Sequence, residues 1–390
     1  MHILFITSNY PTPQEPNRGT FVRQLVREIS SQGIKCSVIC PVSSRRMKKN
    51  LPTKLVDNYK KNNPIEILYP RFISYSNKNI LKYNSYRLTI NSFNRSVTKA
   101  LQLLNSLPTI VYGHFLYPAG YASARIGKKL GIPSFVAVGE SSTKIKSNVE
   151  KTIGVEKTMK HFESIDGIIS VSSQNTMYCR NIIGIPNDKI KEFPNGIDNE
   201  LFRPRNKKEM RIKHSLPVNE TIVAFTGLFI ERKGPHRLLQ AIQNIEGVRV
   251  MFIGKGPIQL VDEKIVFQGV LEHDEVPEYL SAADMFVLPT LAEGSCNAII
   301  EAMGCGLPVI SSDGEFNDDI LNSKVSIRVN PLKIDEIREA INILHKNKER
   351  KEKMGSEAYI HSKNFNINTR ANNILNWIQK VKTRYEDSKK

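Results

Sequence analysis

Short, wholly apolar runs alternate with helix-length amphipathic stretches along the chain, and the alternation occurs twice. In the first half the runs read ILFIT (3–7), KCSVIC (35–40), TIVYG (109–113), SFVAV (134–138) and GIISV (167–171). Helical patterns fall between them, for example over 20–32, 119–130 and 151–164. Runs without polar alternation suit strands buried on both faces, and β–α alternation puts such strands in a mostly parallel sheet covered by helices. The second half repeats the theme with TIVAFTG (221–227), VRVMFIG (248–254), KIVFQG (264–269), DMFVLP (284–289) and LPVISS (307–312). Helices there start near Gly234, Glu275, Ser295 and Leu332. Two consecutive doubly wound α/β sheets predict two Rossmann-like domains.

The join falls near FPNGIDNELFRP (193–204), where Pro194, Asn195 and Gly196 give a turn signal and Pro204 restricts the chain again. This sets a first domain at 1–195 and a second at 196–368. A polar break at 363–369 precedes a last helix around 371–385, which carries the one tryptophan, Trp377. Residues 43–63 are rich in Lys, Arg, Asn and Pro and read as a long loop on the first domain. With 390 residues, 40% hydrophobic and 24% charged, the composition suits two soluble globular domains. No apolar run approaches the ~18 residues of a membrane span. The opening MHILFIT lacks a basic leader and a cleavage site, so it reads as a first strand and not a signal peptide. The cysteines, Cys36, Cys40, Cys179, Cys296 and Cys305, fall at no zinc or redox spacing, which suits a reducing cytoplasm.

Net charge is +18 and unevenly spread. Residues 1–195 hold 28 Lys and Arg against 11 Asp and Glu, whereas 196–390 hold 28 against 27. So lopsided a field points to a polyanionic partner near the first half, with anionic lipid, nucleic acid and polyphosphate all open, or else to a solubilising surface.

Ligands of open α/β sheets bind at the carboxyl ends of the strands. The most informative stretch there is LPTLAEGSCNAIIEAMGCGLPVISSD (288–313): a strand ends at Pro289, a loop follows, and a helix starts near Ser295. Glu293 stands in the loop and Glu301 two turns inside the helix. Unpaired N–H groups at a helix start suit a diphosphate, and a carboxylate accepting two hydrogen bonds suits a vicinal diol such as ribose. On spacing alone, both glutamates equally suit a solvated helix.

The Glu293–Glu301 pair followed by EAMGCGLPVISSD resembles the donor-site signature of glycosyltransferase family 4, the retaining enzymes of the GT-B fold. PNRGTFV (16–22) is similar to that family's N-terminal glycine loop, PNGIDNELFRP (194–204) to its domain-linking segment and ERKG (231–234) to its Lys-Gly phosphate site. GKGP (254–257) and SAADMFVLPT (281–290) resemble its later sheet motifs. The resemblance spans nearly the whole chain, and members that assemble bacterial surface polysaccharide look nearest.

It implies a GT-B architecture of two facing Rossmann-like domains, the helix at about 369–390 returning to the first domain. The first domain would bind the acceptor and the second a nucleoside-diphosphate sugar, UDP- or GDP-linked. Glu301 would hold the ribose hydroxyls and Glu293 the sugar hydroxyls near the reacting carbon. Backbone N–H groups of Ser295, Cys296 and Asn297 would bind phosphate or sugar oxygens. Lys233 would neutralise the leaving diphosphate, Gly19 would let the N-terminal loop approach it, and Gly254, in a tight strand-to-helix turn, would belong to the donor-binding set. Lysine and helix amides can stabilise the departing charge, so no metal and no other cofactor is expected. His114 matches either a family histidine at the cleft floor or a satisfied core histidine. Asp284 reads as the start of a strand.

Two positions depart from the family. Leu228 stands where many members have a phosphate-binding Arg, and Arg232 is the expected substitute. Val138 stands where many have a sugar-contacting His, and Glu140 or Ser141 would supply that contact. The expected acceptor is a glycan or polyprenyl-diphosphate-linked saccharide on the inner face of the plasma membrane. Arg45, Arg46, Lys48, Lys49, Lys54, Lys60, Lys61, Lys78, Lys82 and Arg87 would meet anionic lipid, with Tyr69, Phe72, Tyr75, Tyr83 and Tyr86 interleaved. A sugar-nucleotide epimerase on the same fold would need a second acid/base cluster, which the sequence lacks. A polyanion-binding relative fits the charge, but the basic residues match no nucleic-acid motif, and no nucleic-acid partner is expected.

Overall fold

The computed structural model describes residues 1–45, 51–59, 63–80 and 83–389. The chain divides into two compact units, Met1–Pro194 with Asn368–Lys390, and Asn195–Ile367.

In the first unit the described strands of the main sheet are β1 (His2–Thr7), β2 (Lys35–Ile39), β3 (Lys54–Asp57), β4 (Ile65–Leu68), β5 (Ile110–His114), β6 (Ser134–Val138), β7 (Gly167–Ser170) and β8 (Ile190–Glu192). Their order is β8-β7-β6-β5-β1-β2-β4-β3. Each neighbouring pair is parallel except β3 on β4. β1, β5 and β6 are buried along their whole length, as their unbroken apolar sequences require. Helix α1 (Thr20–Ser31) turns Val22, Leu25, Val26 and Ile29 inward at spacings of three and four, one stripe against the sheet. Helix α2 (Tyr86–Leu101) seats Phe93 and Val97 in the core with Leu4, Ile6 and Val111. The order of strands reverses between β1 and β5; Gly19 lies in the loop after β1, and His114 is the last residue of β5.

The reading of 43–63 as a loop is corrected at β3. This strand alternates exposed and half-buried residues and lies antiparallel at the sheet edge. Its ends are tied by ion pairs, Lys54 to Glu66 at 2.5 Å and Asp57 to Arg27 at 2.8 Å. Short charged edge strands are a common guard against pairing between chains. The membrane-facing set is corrected too. Tyr69 is buried, its hydroxyl donating to the Pro11 carbonyl at 2.5 Å, and Tyr86 packs on the core. Phe72 meets Phe93 edge-on, and Tyr75 stays exposed. Arg46, Lys48, Lys49, Lys60, Lys61 and Lys82 lie outside the described residues.

In the second unit the described strands are β9 (Thr221–Thr226), β10 (Val248–Ile253), β11 (Ile265–Gly269), β12 (Met285–Leu288), β13 (Val309–Ser312) and β14 (Ser326–Val329). All pairings are parallel, in the order β11-β10-β9-β12-β13-β14. Here the order reverses between β9 and β12, which is where an open α/β sheet leaves a crevice. Helices α3 (Pro235–Ile242) and α4 (Asn297–Gly304) follow those two strands. The chain then returns to the first unit through helix α5 (Ile367–Asp387), whose Trp377 ring lies 5.6 Å from that of Phe135.

Candidate active site

The loops after β9 and β12 are stitched together. Leu291 N–H donates to the Arg232 carbonyl at 2.8 Å, and Arg237 reaches from α3 to the Pro289 carbonyl at 2.9 Å. This holds Lys233 and Glu293, far apart in sequence, against each other. One carboxylate oxygen of Glu293, Oε1, receives Lys233 Nζ at 2.6 Å, Thr290 Oγ1 at 2.7 Å and Arg232 Nη1 at 3.1 Å. Arg232 also donates to the Ala292 carbonyl. The Lys233 and Glu293 side chains are nearly buried, at 11% and 10% exposure. Burial alone would lower the Lys233 ammonium, but Cys296 and the Glu293 carboxylate outweigh it and hold the lysine above its ordinary pKa. Burial likewise pushes Glu293 up, and the Lys233 and Arg232 charges reverse this to leave it below the usual carboxylate range.

Helix α4 begins directly after this carboxylate. Cys296 is its N-cap in extended backbone, without a side-chain cap, and the first intrahelical donor to its carbonyl is Ile299 N–H at 3.1 Å. The N–H groups at the helix start are therefore available to a ligand. Ser295 sits one residue earlier, its hydroxyl accepting from Asn195 N–H at 3.1 Å. The side-chain oxygen of Asn297 is buried without a protein partner among the described residues. Glu301 lies one turn into α4, its Oε1 3.4 Å from Nε2 of His273, whose ring packs edge-on against Phe202. Gly254 follows β10 at φ +146°, where a Cβ would lie 1.9 Å from the Gly227 carbonyl oxygen. Leu228 is exposed beside this turn, offering no charge.

Sequence reasoning missed His273 and Thr290. His273 follows β11 in GVLEHDE, far from Glu301 in sequence, so only the fold brings the two together. Thr290 is the residue after Pro289 at the end of the β12 segment, and its position was the signal that went unread. Asp284 is no site residue: its carboxylate takes Arg211 at 2.6 Å and the Ile222 N–H at 2.8 Å, anchoring strand starts.

In the first unit, Gly19 caps α1 in the left-handed region at φ +67°, and a Cβ there would come 2.4 Å from the Asn9 carbonyl oxygen. His114 ends β5, buried, with Phe21 and Phe115 around its ring at 5.5 and 5.1 Å. Burial and the Arg370 charge push its imidazole down to about 3, so it is neutral at physiological pH. Glu140 is buried rather than lying in bulk solvent. Its two oxygens accept from Leu116 N–H at 2.7 Å and Gly139 N–H at 3.2 Å, and burial, against Lys144, raises its pKa. This carboxylate braces the turn in which Phe115 adopts φ 74°. Val138 is wholly buried, and Ser141 Oγ lies 3.2 Å from Thr143 Oγ1. Among the described residues, no group of three His, Cys, Asp or Glu could hold a metal ion, and no helix is long and apolar enough to cross a membrane.

Comparison with known proteins bears on the whole chain. The family described as Glycosyltransferase Family 4 matches residues 19–201, and Glycosyl transferases group 1 matches 206–361. A Bacillus subtilis protein assigned to teichuronic acid biosynthesis as glycosyltransferase TuaC is 27% identical over 353 residues, covering 87% of this chain and 88% of its own. Mycobacterium tuberculosis D-inositol 3-phosphate glycosyltransferase is 25% identical over 177 residues, 42% of this chain and 36% of its own. Among solved structures, sucrose-phosphate synthase of Thermosynechococcus elongatus superposes with TM-score 0.79 at 18% identity, covering 98% of this chain and 99% of the other. Anabaena HepE in complex with UDP superposes with TM-score 0.72 at 16% identity, covering 97% and 100%.

Proposed function

The chain belongs to glycosyltransferase family 4 and has the GT-B fold, and from this we propose that it transfers a sugar with retention from a nucleoside-diphosphate sugar to a surface-polysaccharide acceptor. The observation that carries the reading is the single Glu293 oxygen shared by Lys233, Arg232 and Thr290 just ahead of the open start of α4, with Glu301 one turn inside. The HepE complexes with UDP and UDP-glucose support a uridine donor. The TuaC likeness supports a role in polysaccharide assembly.

The residues then divide the work. Glu301 takes the ribose diol, with His273 beside it. The helix-start N–H groups and Lys233 take the diphosphate, whose arrival gives the ammonium a second anion and loosens its hold on Glu293. The freed Glu293 oxygen accepts from the sugar hydroxyls, so donor binding itself prepares the carboxylate. Arg232, on the same oxygen, takes over the phosphate contact that Leu228 cannot make. Charge building on the leaving phosphate meets fixed donors in a dry site, which needs no metal. On this reading the enzyme works peripherally at the inner membrane face, on a glycan or polyprenyl-diphosphate-linked saccharide.

The test is thermal stabilisation by UDP, GDP, ADP and CMP, with and without EDTA, in wild type and Glu301→Ala. A ligand at about 100 times its Kd adds about 2.7 kcal/mol. Stabilisation by one nucleoside diphosphate, indifferent to EDTA and lost in Glu301→Ala, is the expected result. Stabilisation by none of the four would sink the donor-site reading. The anomeric configuration of the transferred sugar, read by NMR, tests retention.

A further inference from the structure

Tyr112 and His114 stand two residues apart on β5 and so share one face of the sheet, their rings 6.0 Å apart. Phe135 pairs with Tyr112 in register on β6, and its ring meets Trp377, so this is the face that α5 covers. From the start of that helix comes Arg370, 8% exposed. Its Nε donates to the carbonyls of Pro194 at 2.7 Å and Phe193 at 3.4 Å. Its Nη2, the Tyr112 hydroxyl and Nδ1 of His114 are all buried, and none has a protein partner among the described residues.

Each of the three can donate a hydrogen bond, and one carries a permanent positive charge. Arg370 acts electrostatically on both Tyr112 and His114, and no carboxylate is among the groups acting on it. A buried guanidinium with no counter-charge is unfavourable, and buried donors left without acceptors add to the penalty. An internal water would satisfy the hydroxyl and the imidazole but leave the charge uncompensated. We propose that Tyr112, His114 and Arg370 form an internal binding site for one chloride-sized monoanion.

The site has a consequence for His114. With Nδ1–H donating to the anion, the neutral imidazole keeps its lone pair on Nε2 and presents it as a hydrogen-bond acceptor. That consequence matters only if His114 is the cleft-floor histidine that the family resemblance offers. The anion site itself does not depend on it.

Trp377 is the one tryptophan, and its ring lies 6.0 Å from that of Phe193, whose carbonyl Arg370 holds. The full-length protein, dialysed into gluconate, is titrated with chloride and with bromide at constant ionic strength. Trp377 emission and the thermal midpoint are followed together. Both should change saturably with the same half-point. Tyr112→Phe removes one charge-assisted hydrogen bond while keeping the ring, and should raise that half-point about tenfold. Arg370→Leu should abolish the response; if it does not fold, Tyr112→Phe still decides. A bromide-soaked crystal should show an anomalous peak within hydrogen-bonding distance of Arg370 Nη2. A halide-independent midpoint and emission with no bromide peak overturn the proposal, as does a Tyr112→Phe variant that binds halide like wild type. A halide response that persists while no nucleoside diphosphate binds would sink the donor reading alone.

Discussion

A single oxygen atom, Oε1 of Glu293, gathers an ammonium, a guanidinium and a hydroxyl, and its energetics fix how this cluster responds to pH. The folded pKa of Glu293 is depressed, so its contribution is present above the unfolded value of about 4.3 and is lost as pH falls through the folded value. Lys233 is raised, so its share is present below about 10.4 and is lost as pH rises through its folded value. Between those limits Lys233→Ala leaves the buried carboxylate to Arg232 and Thr290 alone and should cost about 2–3 kcal/mol. Glu293→Gln should narrow its stability gap from wild type below about pH 4. Urea titrations at pH 3.5, 7 and 9 check both; a gap that stays constant with pH counts against the ion pair. Arg232→Ala should leave the fold intact and weaken donor binding, seen as a higher half-saturating UDP concentration. That Glu293 and Lys233 meet was not readable from spacing, which leaves both glutamates equally suited to a solvated helix; only the resemblance of their segments to family motifs singled them out. The direction of Glu140 was not readable either, because nothing local says that Leu116 and Gly139 amides will claim its two oxygens.

Strands were read where the chain is apolar throughout, since only burial on both faces demands that. β3 escaped because its charges alternate at an edge, and β4 because IEIL buries Glu66 against Lys54, a pairing set by the fold. α2 escaped because NSFNRSVTK shows a narrow apolar stripe in polar company. Helix starts were legible where glycine marks them, and two glycines make sharp predictions. Gly254→Ala puts a Cβ on the Gly227 carbonyl and should destabilise the second unit by about 3 kcal/mol. Gly19→Ala forces alanine into the left-handed region against Asn9 and should cost about 1–3 kcal/mol, with lower turnover through a displaced loop. Thermal melts of both variants check the ranking. Trp377→Ala should cost about 3–5 kcal/mol, because the ring fills the space that Gly167 leaves open.

Counted by the observed units, the charge is more divided than by halves of the sequence. The first unit holds 34 Lys and Arg against 13 Asp and Glu, and the second 22 against 25. The first is therefore +21 and the second −3, because α5 and the residues after it add their lysines to the first. Binding to vesicles with anionic lipid should exceed binding to neutral ones and fall steeply with salt. Equal co-sedimentation with both would count against membrane docking. The same division has a consequence during synthesis. The second unit is an insertion between two parts of the first, so the ribosome must make Asn195–Ile367 before α5 exists. At ~5–20 residues per second the first unit waits about ten to thirty-five seconds with Phe135 and Gly167 uncovered. The inserted unit, contiguous in sequence, can fold in that interval, so the part of the chain made first is the part finished last.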